Sequence, residues 1–216
     1  MPQTTEIDAE TLERINRGIL LRTGAYLAND HFVLSHRRHT SEYVEKALVT
    51  TEPAFTEGLG DIIAKHFAKV QVDVVLTTGY GASILGHCVA KAHPSRPHFI
   101  YATKRTRTNG TNDVVLRREF HQLFTHGAKV LIVEDILTTG ETVKALIKLV
   151  HALGGEVVGI GTVWRRSKKI KFKYPLFTLV DREFPTYSPT ECPMCRKGIP
   201  INRVFGRRGE EEQGET

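Results

Sequence analysis

Two adjacent carboxylates, Glu134 and Asp135, follow an apolar run in the segment VLIVEDILTTGET, residues 130–142. Carboxylate oxygens suit ribose hydroxyls, bound directly or through a hydrated Mg²⁺. The turn that follows offers hydroxyls, a glycine and consecutive backbone N–H groups at a predicted helix start, which are the parts of an anion nest; its residues are Ile136, Leu137, Thr138, Thr139, Gly140, Glu141 and Thr142. Either element alone also occurs where a strand leads into a capped helix. Together they predict a sugar-phosphate site.

Positioning these residues requires strands and helices that alternate along the chain. Strands are predicted from apolar, β-branched runs at residues 72–76, 98–101, 130–133 and 157–163. Helices are predicted from apolar steps of three and four residues at 55–70, 82–92 and 142–152. This alternation predicts an α/β fold with a parallel sheet and right-handed crossovers. The carboxylates then lie at the carboxyl edge of the sheet, where open α/β folds bind ligands.

The segments outside this pattern divide the chain further. Residues 1–50 are predicted to hold an amphipathic helix at 7–21 and a small hood with short strands at 31–34 and 43–49. Residues 51–185 form the core, and residues 186–206 form a C-terminal extension with one CxxC pair. Residues 207–216, RRGEEEQGET, are predicted to be disordered. The polar stretch 104–119 predicts a mobile loop that closes on a short hairpin.

Composition limits the class of protein. The chain has 216 residues, 40% of them hydrophobic and 25% charged, which predicts one globular domain. The sequence offers neither a signal peptide nor a run of about 18 apolar residues, and three cysteines suggest reduced thiols, so a cytoplasmic location is expected. The net charge of +6 fits a phosphate-rich ligand, a nucleic acid or a solvated surface. Because the basic residues are scattered, nucleic acid is not expected as a partner.

The segment around Glu134 and Asp135 resembles the phosphoribosyl pyrophosphate (PRPP) signature of the type I phosphoribosyltransferase family, in which an apolar strand, two acidic residues and a threonine- and glycine-rich turn follow one another. The resemblance covers nearly the whole chain. GYGASILGHCVA resembles the family's pyrophosphate loop, with Gly79, Tyr80 and Gly81 against the diphosphate. The resemblance implies a Rossmann-like parallel-sheet core flanked by helices, a small N-terminal hood, and Mg²⁺-dependent transfer from PRPP to a base.

Three segments are similar to the orotate branch of this family. They are the hood sequence GAYLANDHFVLSHRRHTSEYV, the stretch CPMCRKGIPIN, and VVGIGTVWRRSKK. In the last of these, Arg166 falls where the family places an arginine that binds the pyrimidine and its carboxylate. The resemblance implies that orotate is the base, that Thr138, Arg166 and Phe32 contact it, and that the products are orotidine 5′-monophosphate and pyrophosphate.

Two places depart from the family's pattern. Arg165 stands where an acidic residue is usual, which either favours an acidic base or indicates a different heterocycle. The basic residues of the predicted loop, Lys104, Arg105 and Arg107, are not in the commonest order. We assign Lys104 and Arg105 to PRPP, and Lys104 to the catalytic set with Glu134 and Asp135. A loop that neighbouring subunits share in this family implies a homodimer.

Two other functions stay open: a purine-type phosphoribosyltransferase, and a PRPP-sensing regulator built on the same fold. A purine enzyme would present an acidic and aromatic pocket after the last strand, and LVDREF, residues 179–184, is the nearest candidate. A regulator would need neither a catalytic loop nor a hood.

The pair Cys192 and Cys195 forms half of a tetrahedral zinc site. Because a second cysteine pair is missing from the sequence, a plain turn is favoured over a structural zinc site or a redox pair.

Overall fold

The computed structural model describes residue 18 and residues 23–34, 37–106 and 112–206. The predicted N-terminal helix, apart from Gly18, lies outside the described residues, as do Arg107 and the predicted disordered tail at 207–216. Among the described residues, no helix combines the length and the apolar character needed to cross a membrane.

The N-terminal part contains a hairpin of strands β1 (Tyr26–Val33) and β2 (His39–Val44), which pair antiparallel around a bulge in β1. Helix α1 (Lys46–Val49) follows, and the Glu45 carboxylate accepts a hydrogen bond from the N–H of Ala47 at its start. The strand predicted at 43–49 is therefore wrong beyond Val44, because Glu45 acts as a helix N-cap there.

The core is a sheet with strand order β5-β4-β3-β6-β7-β8. Its strands are β3 (Val74–Thr78), β4 (His98–Thr106), β5 (Asn112–Val115), β6 (Lys129–Leu137), β7 (Glu156–Arg165) and β8 (Leu176–Asp181). All neighbours pair in parallel except β5, which runs antiparallel to β4. The predicted parallel α/β fold is confirmed, and β8 is an additional strand. Within the predicted loop at 104–119, residues 104–106 belong to β4 and residues 112–115 form β5, on either side of residues 107–111.

Helices cover both faces of this sheet: α2 (Pro53–His66), α3 (Tyr80–Ala92) and α4 (Glu141–Ala152). Because successive side chains of a strand point to opposite faces, β6 serves two apolar clusters. Leu131 and Val133 pack in the cluster that holds residues of α2 and α3, whereas Val130 and Ile132 pack in the cluster that holds residues of α4. This double coverage explains why the predicted strand was a continuous apolar run.

The C-terminal extension returns to the hairpin. A 3₁₀ helix at Pro189–Glu191 leads into the short helix α5 (Pro193–Arg196). The backbones of His39 and Tyr187 exchange hydrogen bonds of 2.9 and 2.8 Å, and the N–H of Asn202 donates to the carbonyl of His31 at 2.8 Å. The two ends of the described chain are therefore joined beside the hairpin.

Two glycines of β7 allow the segment from α2 to approach the sheet closely. A Cβ at Gly159 would lie 2.4 Å from the Phe67 ring, and one at Gly161 would lie 2.6 Å from Ile63. We expect Gly159→Ala to reduce the free energy of unfolding by about 1–3 kcal/mol, the usual cost of overpacking. Urea unfolding measures it.

Gly58→Ala is the matched control, because a Cβ at this position in α2 meets nothing within 4 Å. An alanine in a helix interior is expected to raise the free energy of unfolding by roughly 0.5–1 kcal/mol. Equal stability of the Gly159→Ala variant and the unsubstituted protein would contradict this packing arrangement.

Candidate active site

The two candidate carboxylates lie at the end of β6, where Glu134 is 6% exposed and Asp135 is 8% exposed. The Asp135 carboxylate accepts a hydrogen bond from the N–H of Ile136 at 2.7 Å, and Glu134 accepts one from the N–H of Asp135 at 3.3 Å. The hydroxyl of Thr162, on the neighbouring strand β7, donates to the carbonyl of Asp135 at 3.2 Å. These bonds hold both carboxylates at the carboxyl edge of the sheet.

A cleft of about 280 Å³ opens beside them. Its lining combines Lys104 from β4 with most of the predicted PRPP segment: Glu134, Asp135, Ile136, Leu137, Thr138, Thr139, Gly140 and Thr142. One cation therefore faces two carboxylates and a turn rich in hydroxyl groups. Arg105, the next residue of β4, is exposed and does not belong to this lining.

The turn after β6 has the conformation that an anion nest requires. Gly140 has φ 78° and ψ 4°, a left-handed conformation that glycine adopts without steric cost. Thr138 and Thr139 are exposed, and the Thr139 hydroxyl accepts a 3.4 Å hydrogen bond from the N–H of Glu141. The N-terminus of α4 therefore lies at the wall of the cleft, which Thr139, Gly140 and Thr142 line.

A second turn, between β3 and α3, approaches the same carboxylates. Gly79 has φ 85° and ψ 160°, which is open to glycine alone. A Cβ at Gly81 would lie 2.5 Å from Oδ2 of Asp135, so only glycine lets the two segments come this close. The structure thus brings Gly81 against the Asp135 carboxylate, whereas contact of Gly79 and Gly81 with the diphosphate stays a prediction. Tyr80, between them, is 94% exposed.

Arg166 lies just beyond β7, and its N–H donates to the carbonyl of Leu137 at 2.9 Å. Its guanidinium carbon is 4.8 Å from the centre of the Phe184 ring. Burial lowers the pKa of Arg166, and the attraction of Tyr43 and Glu42 offsets part of this effect. The Nη2 atom is buried and has no hydrogen-bond partner among the described residues. A buried guanidinium donor of this kind is suited to an anionic acceptor from a ligand.

Arg165, the departure from the family's pattern, points elsewhere. It forms a two-pronged ion pair with Asp181, its register partner on β8, in which Nε lies 2.9 Å from Oδ1. This hydrogen bonding lowers the pKa of Asp181. The extra positive charge is therefore compensated between two strands.

The hairpin reaches Arg166 through a residue that the sequence analysis did not select. Phe32, the predicted base contact, is only 1% exposed, and its ring stacks on Tyr43 with centroids 5.5 Å apart. Tyr43 in turn lies close enough to Arg166 to influence the pKa of that guanidinium. Tyr43 lies in the hood sequence and Phe184 lies in LVDREF, but only the fold places them beside the arginine. Contact between Phe32 and a base stays a prediction.

The profile of the phosphoribosyl transferase domain matches residues 48–186. The chain belongs to the phosphoribosyl transferase family. Within it, the chain is 36% identical to the orotate phosphoribosyltransferase of Caldanaerobacter subterraneus subsp. tengcongensis, over 92% of this chain and 94% of the relative. It is 37% identical to the orotate phosphoribosyltransferase of Thermotoga maritima, over 88% of this chain and 97% of the relative.

Solved members of the family share the fold. Orotate phosphoribosyltransferase from Mycobacterium tuberculosis superposes with a TM-score of 0.57 at 22% identity, covering 78% of this chain and 95% of that one. Adenine phosphoribosyltransferase from Rhodothermus marinus gives a TM-score of 0.60 at 20% identity, covering 80% of this chain and 99% of that one. Because these folds serve two different bases, the fold alone does not determine which base is bound.

Proposed function

We propose that this protein transfers the phosphoribosyl group of PRPP to orotate, giving orotidine 5′-monophosphate and pyrophosphate, a step of pyrimidine nucleotide synthesis. The observation that carries the choice of base is the half-buried Arg166, whose buried Nη2 lacks a partner among the described residues and whose guanidinium lies over the Phe184 ring. Orotate is a planar carboxylate. It is therefore suited both to a ring face and to paired hydrogen bonds from a guanidinium.

PRPP is proposed to lie in the cleft at the end of β6. The turn at 138–142 would hold the 5-phosphate with its hydroxyls and N–H groups, and the Gly79–Gly81 turn would approach the diphosphate. Glu134 and Asp135 would orient the ribose hydroxyls. Lys104, which shares the cleft with them, is proposed to neutralise the diphosphate as it leaves.

Mg²⁺ is the proposed cofactor, and the residues present fit it. Two carboxylates are hard oxygen ligands, and Gly81 leaves space beside Oδ2 of Asp135 that a Cβ would fill. When bound, directly or through water, Mg²⁺ would offset the negative charge that develops on the diphosphate.

The chain's own residues are proposed to catalyse the reaction mainly by positioning. A ring nitrogen of the base displaces pyrophosphate at the anomeric carbon, which acquires oxocarbenium character. Orotate is already acidic and needs no strong general base. Arg166 would hold its carboxylate so that the nitrogen faces the sugar, while the hairpin excludes water.

A homodimer in the cytoplasm is proposed as the working form. Tyr80 and Ile84, four residues apart on α3, share a helix face and are 94% and 45% exposed. A second copy of the chain would cover them and bring its Arg105, on β4, near the cleft. Sedimentation at micromolar concentration would then give about twice the mass of one chain.

The two alternative functions have less support. Of the two acidic residues of LVDREF, Asp181 is paired with Arg165 and Glu183 accepts a hydrogen bond from the Ser167 hydroxyl, so neither supports the acidic pocket expected for a purine. A PRPP-sensing regulator would not need the buried guanidinium of Arg166 beside a PRPP cleft.

The test is orotate consumption, followed by ultraviolet absorbance, with PRPP and Mg²⁺ present and with adenine, hypoxanthine, xanthine and uracil run in parallel. We expect loss of the orotate band only when PRPP and Mg²⁺ are both added. Turnover of a purine in place of orotate would overturn the choice of base. PRPP binding without turnover of any base would favour the regulator.

A further inference from the structure

Two histidines and two cysteines meet between the hairpin and the C-terminal extension. His31 lies on β1, His39 begins β2, and Cys192 and Cys195 flank the first turn of α5. Their four potential ligand atoms lie within 4.8 Å of one another. Three of the residues are buried: His31 is 1% exposed, His39 7% and Cys192 0%. Four groups with metal-binding atoms therefore converge where little water reaches.

The distances between these atoms approach those of a tetrahedral metal site. Nε2 of His31 lies 3.6 Å from Sγ of Cys192 and 3.7 Å from Sγ of Cys195, and Nδ1 of His39 lies 3.3 Å from Sγ of Cys195. With Zn–S near 2.3 Å and Zn–N near 2.0–2.1 Å, tetrahedral ligand atoms are separated by about 3.3–3.8 Å.

The two imidazoles are slightly closer than that arrangement requires. Nε2 of His31 and Nδ1 of His39 are hydrogen-bonded at 2.8 Å. A shared ion would replace this bond and would separate the two nitrogens by about half an ångström more. Small rotations of the side chains achieve such a change, so the backbone is already placed for binding.

Neighbouring backbone groups orient the ligands. Nδ1 of His31 lies 2.7 Å from the carbonyl oxygen of Ile199, and because a carbonyl only accepts, Nδ1 carries the proton. The lone pair of Nε2 then faces the cluster, which is how a second partner usually fixes a metal-binding histidine. The N–H of Cys195 donates to Sγ of Cys192 at 3.5 Å, so the backbone also orients this sulfur.

We propose that His31, His39, Cys192 and Cys195 bind one structural zinc ion that fastens the C-terminal extension to the β1–β2 hairpin. Two thiolates and two neutral imidazoles in a tetrahedral arrangement select zinc over the hard cations that carboxylates bind. The charges of the two thiolates and the ion cancel, so the site can be buried. All four positions are filled by protein, which is typical of a structural site and not of a catalytic one.

The ion would join parts of the chain that otherwise meet mainly through hydrogen bonds, such as those between His39 and Tyr187 and between Asn202 and His31. Cys192 and His31 are separated by 161 positions in the sequence. The buried residue of α5 is Met194, so this short helix contributes little apolar burial. Zinc would supply the missing stabilisation and would also fix the hairpin that carries Tyr43 toward Arg166.

The test is the zinc content of the full-length protein, purified under reducing conditions and dialysed against Mg²⁺ buffer. We expect about one zinc per chain for the unsubstituted protein. Cys195→Ser and His39→Asn should lose most of it. Cys88→Ser is the matched control, because Cys88 is the remaining cysteine and lies on α3, away from the cluster; its zinc content should be unchanged.

Cobalt provides a readout that does not depend on a variant folding. Replacing zinc by Co²⁺ in the unsubstituted protein should give the visible bands of a tetrahedral ion and the near-ultraviolet charge-transfer band of cobalt thiolate. Co²⁺ bound at a carboxylate site that normally holds Mg²⁺ gives neither band. Absence of these bands, together with zinc no higher than in Cys195→Ser, would overturn the proposal. A Cys192–Cys195 disulfide in the reduced preparation would also overturn it, in favour of a redox pair.

Discussion

Asp135→Asn is expected to lower turnover of PRPP and orotate on the order of 100-fold or more, as removal of one charge-stabilising group does in other active sites. The carboxylate is 8% exposed, lines the cleft and lies against Gly81. The substituted amide keeps an oxygen that can accept the 2.7 Å hydrogen bond from Ile136. The loss should therefore come from charge at the ribose and the metal, with the melting temperature nearly unchanged. Steady-state rates and thermal unfolding measure the two effects.

Asp61→Asn is the control for this experiment, because it removes an exposed carboxylate of α2 that does not line the cleft. Its turnover should equal that of the unsubstituted protein. If Asp135→Asn retained full activity as well, the assignment of the carboxylates to PRPP would have to be abandoned.

Arg166→Met is expected to raise the KM for orotate about 10- to 100-fold, which corresponds to one or two lost hydrogen bonds to a charged group. The KM for PRPP should change little, because Arg166 does not line the β6 cleft. Burial already disfavours the charged form of Arg166, and Nη2 has no partner among the described residues, so methionine should leave the melting temperature equal or higher. Reduced function with retained stability separates ligand binding from a packing role.

The neighbouring arginine is the matched control. Arg165→Gln removes an equal charge one position earlier, but this guanidinium pairs with Asp181. The pair is partly exposed, so its loss should cost at most about 1 kcal/mol of stability. The KM for orotate should be unaffected. A larger rise in this KM for Arg165→Gln than for Arg166→Met would refute the assignment of the base site to Arg166.

The parts of the fold that the sequence predicted well are those with a strong period. The apolar run at 130–133 and the amphipathic pattern at 142–152 correspond to β6 and α4, with bounds that differ by a few residues. Strand β8, LFTLVD, was not predicted, because its polar residues Thr178 and Asp181 are three positions apart and leave neither strict alternation nor a continuous apolar run. The error at 43–49 arose because KALV fits a strand or a helix equally well, and the cap at Glu45 decides between them.

The candidate site likewise has one part that could be predicted from the sequence and one part that could not. Residues of one continuous segment, such as Glu134 to Thr142, were predictable because local spacing alone forms the nest. The directions of Arg165 and Arg166 were not, since they depend on which residue of β8 lies opposite. The partners of Cys192 and Cys195 were missed for a related reason: His31 and His39 lie at the other end of the chain, and no spacing rule connects them.

The hydrogen bond between the N–H of Arg166 and the carbonyl of Leu137 joins two regions that do different work. Residues proposed to hold the sugar phosphate come from the turns after β3 and β6, whereas those around the base come from the hairpin and the ends of β7 and β8. The spacing between the two regions is set by the backbone of the sheet and not by any side chain. In proteins that descend from such a chain, the hairpin and the strand ends can therefore change and bind a different base. The turns that hold the sugar phosphate can stay the same.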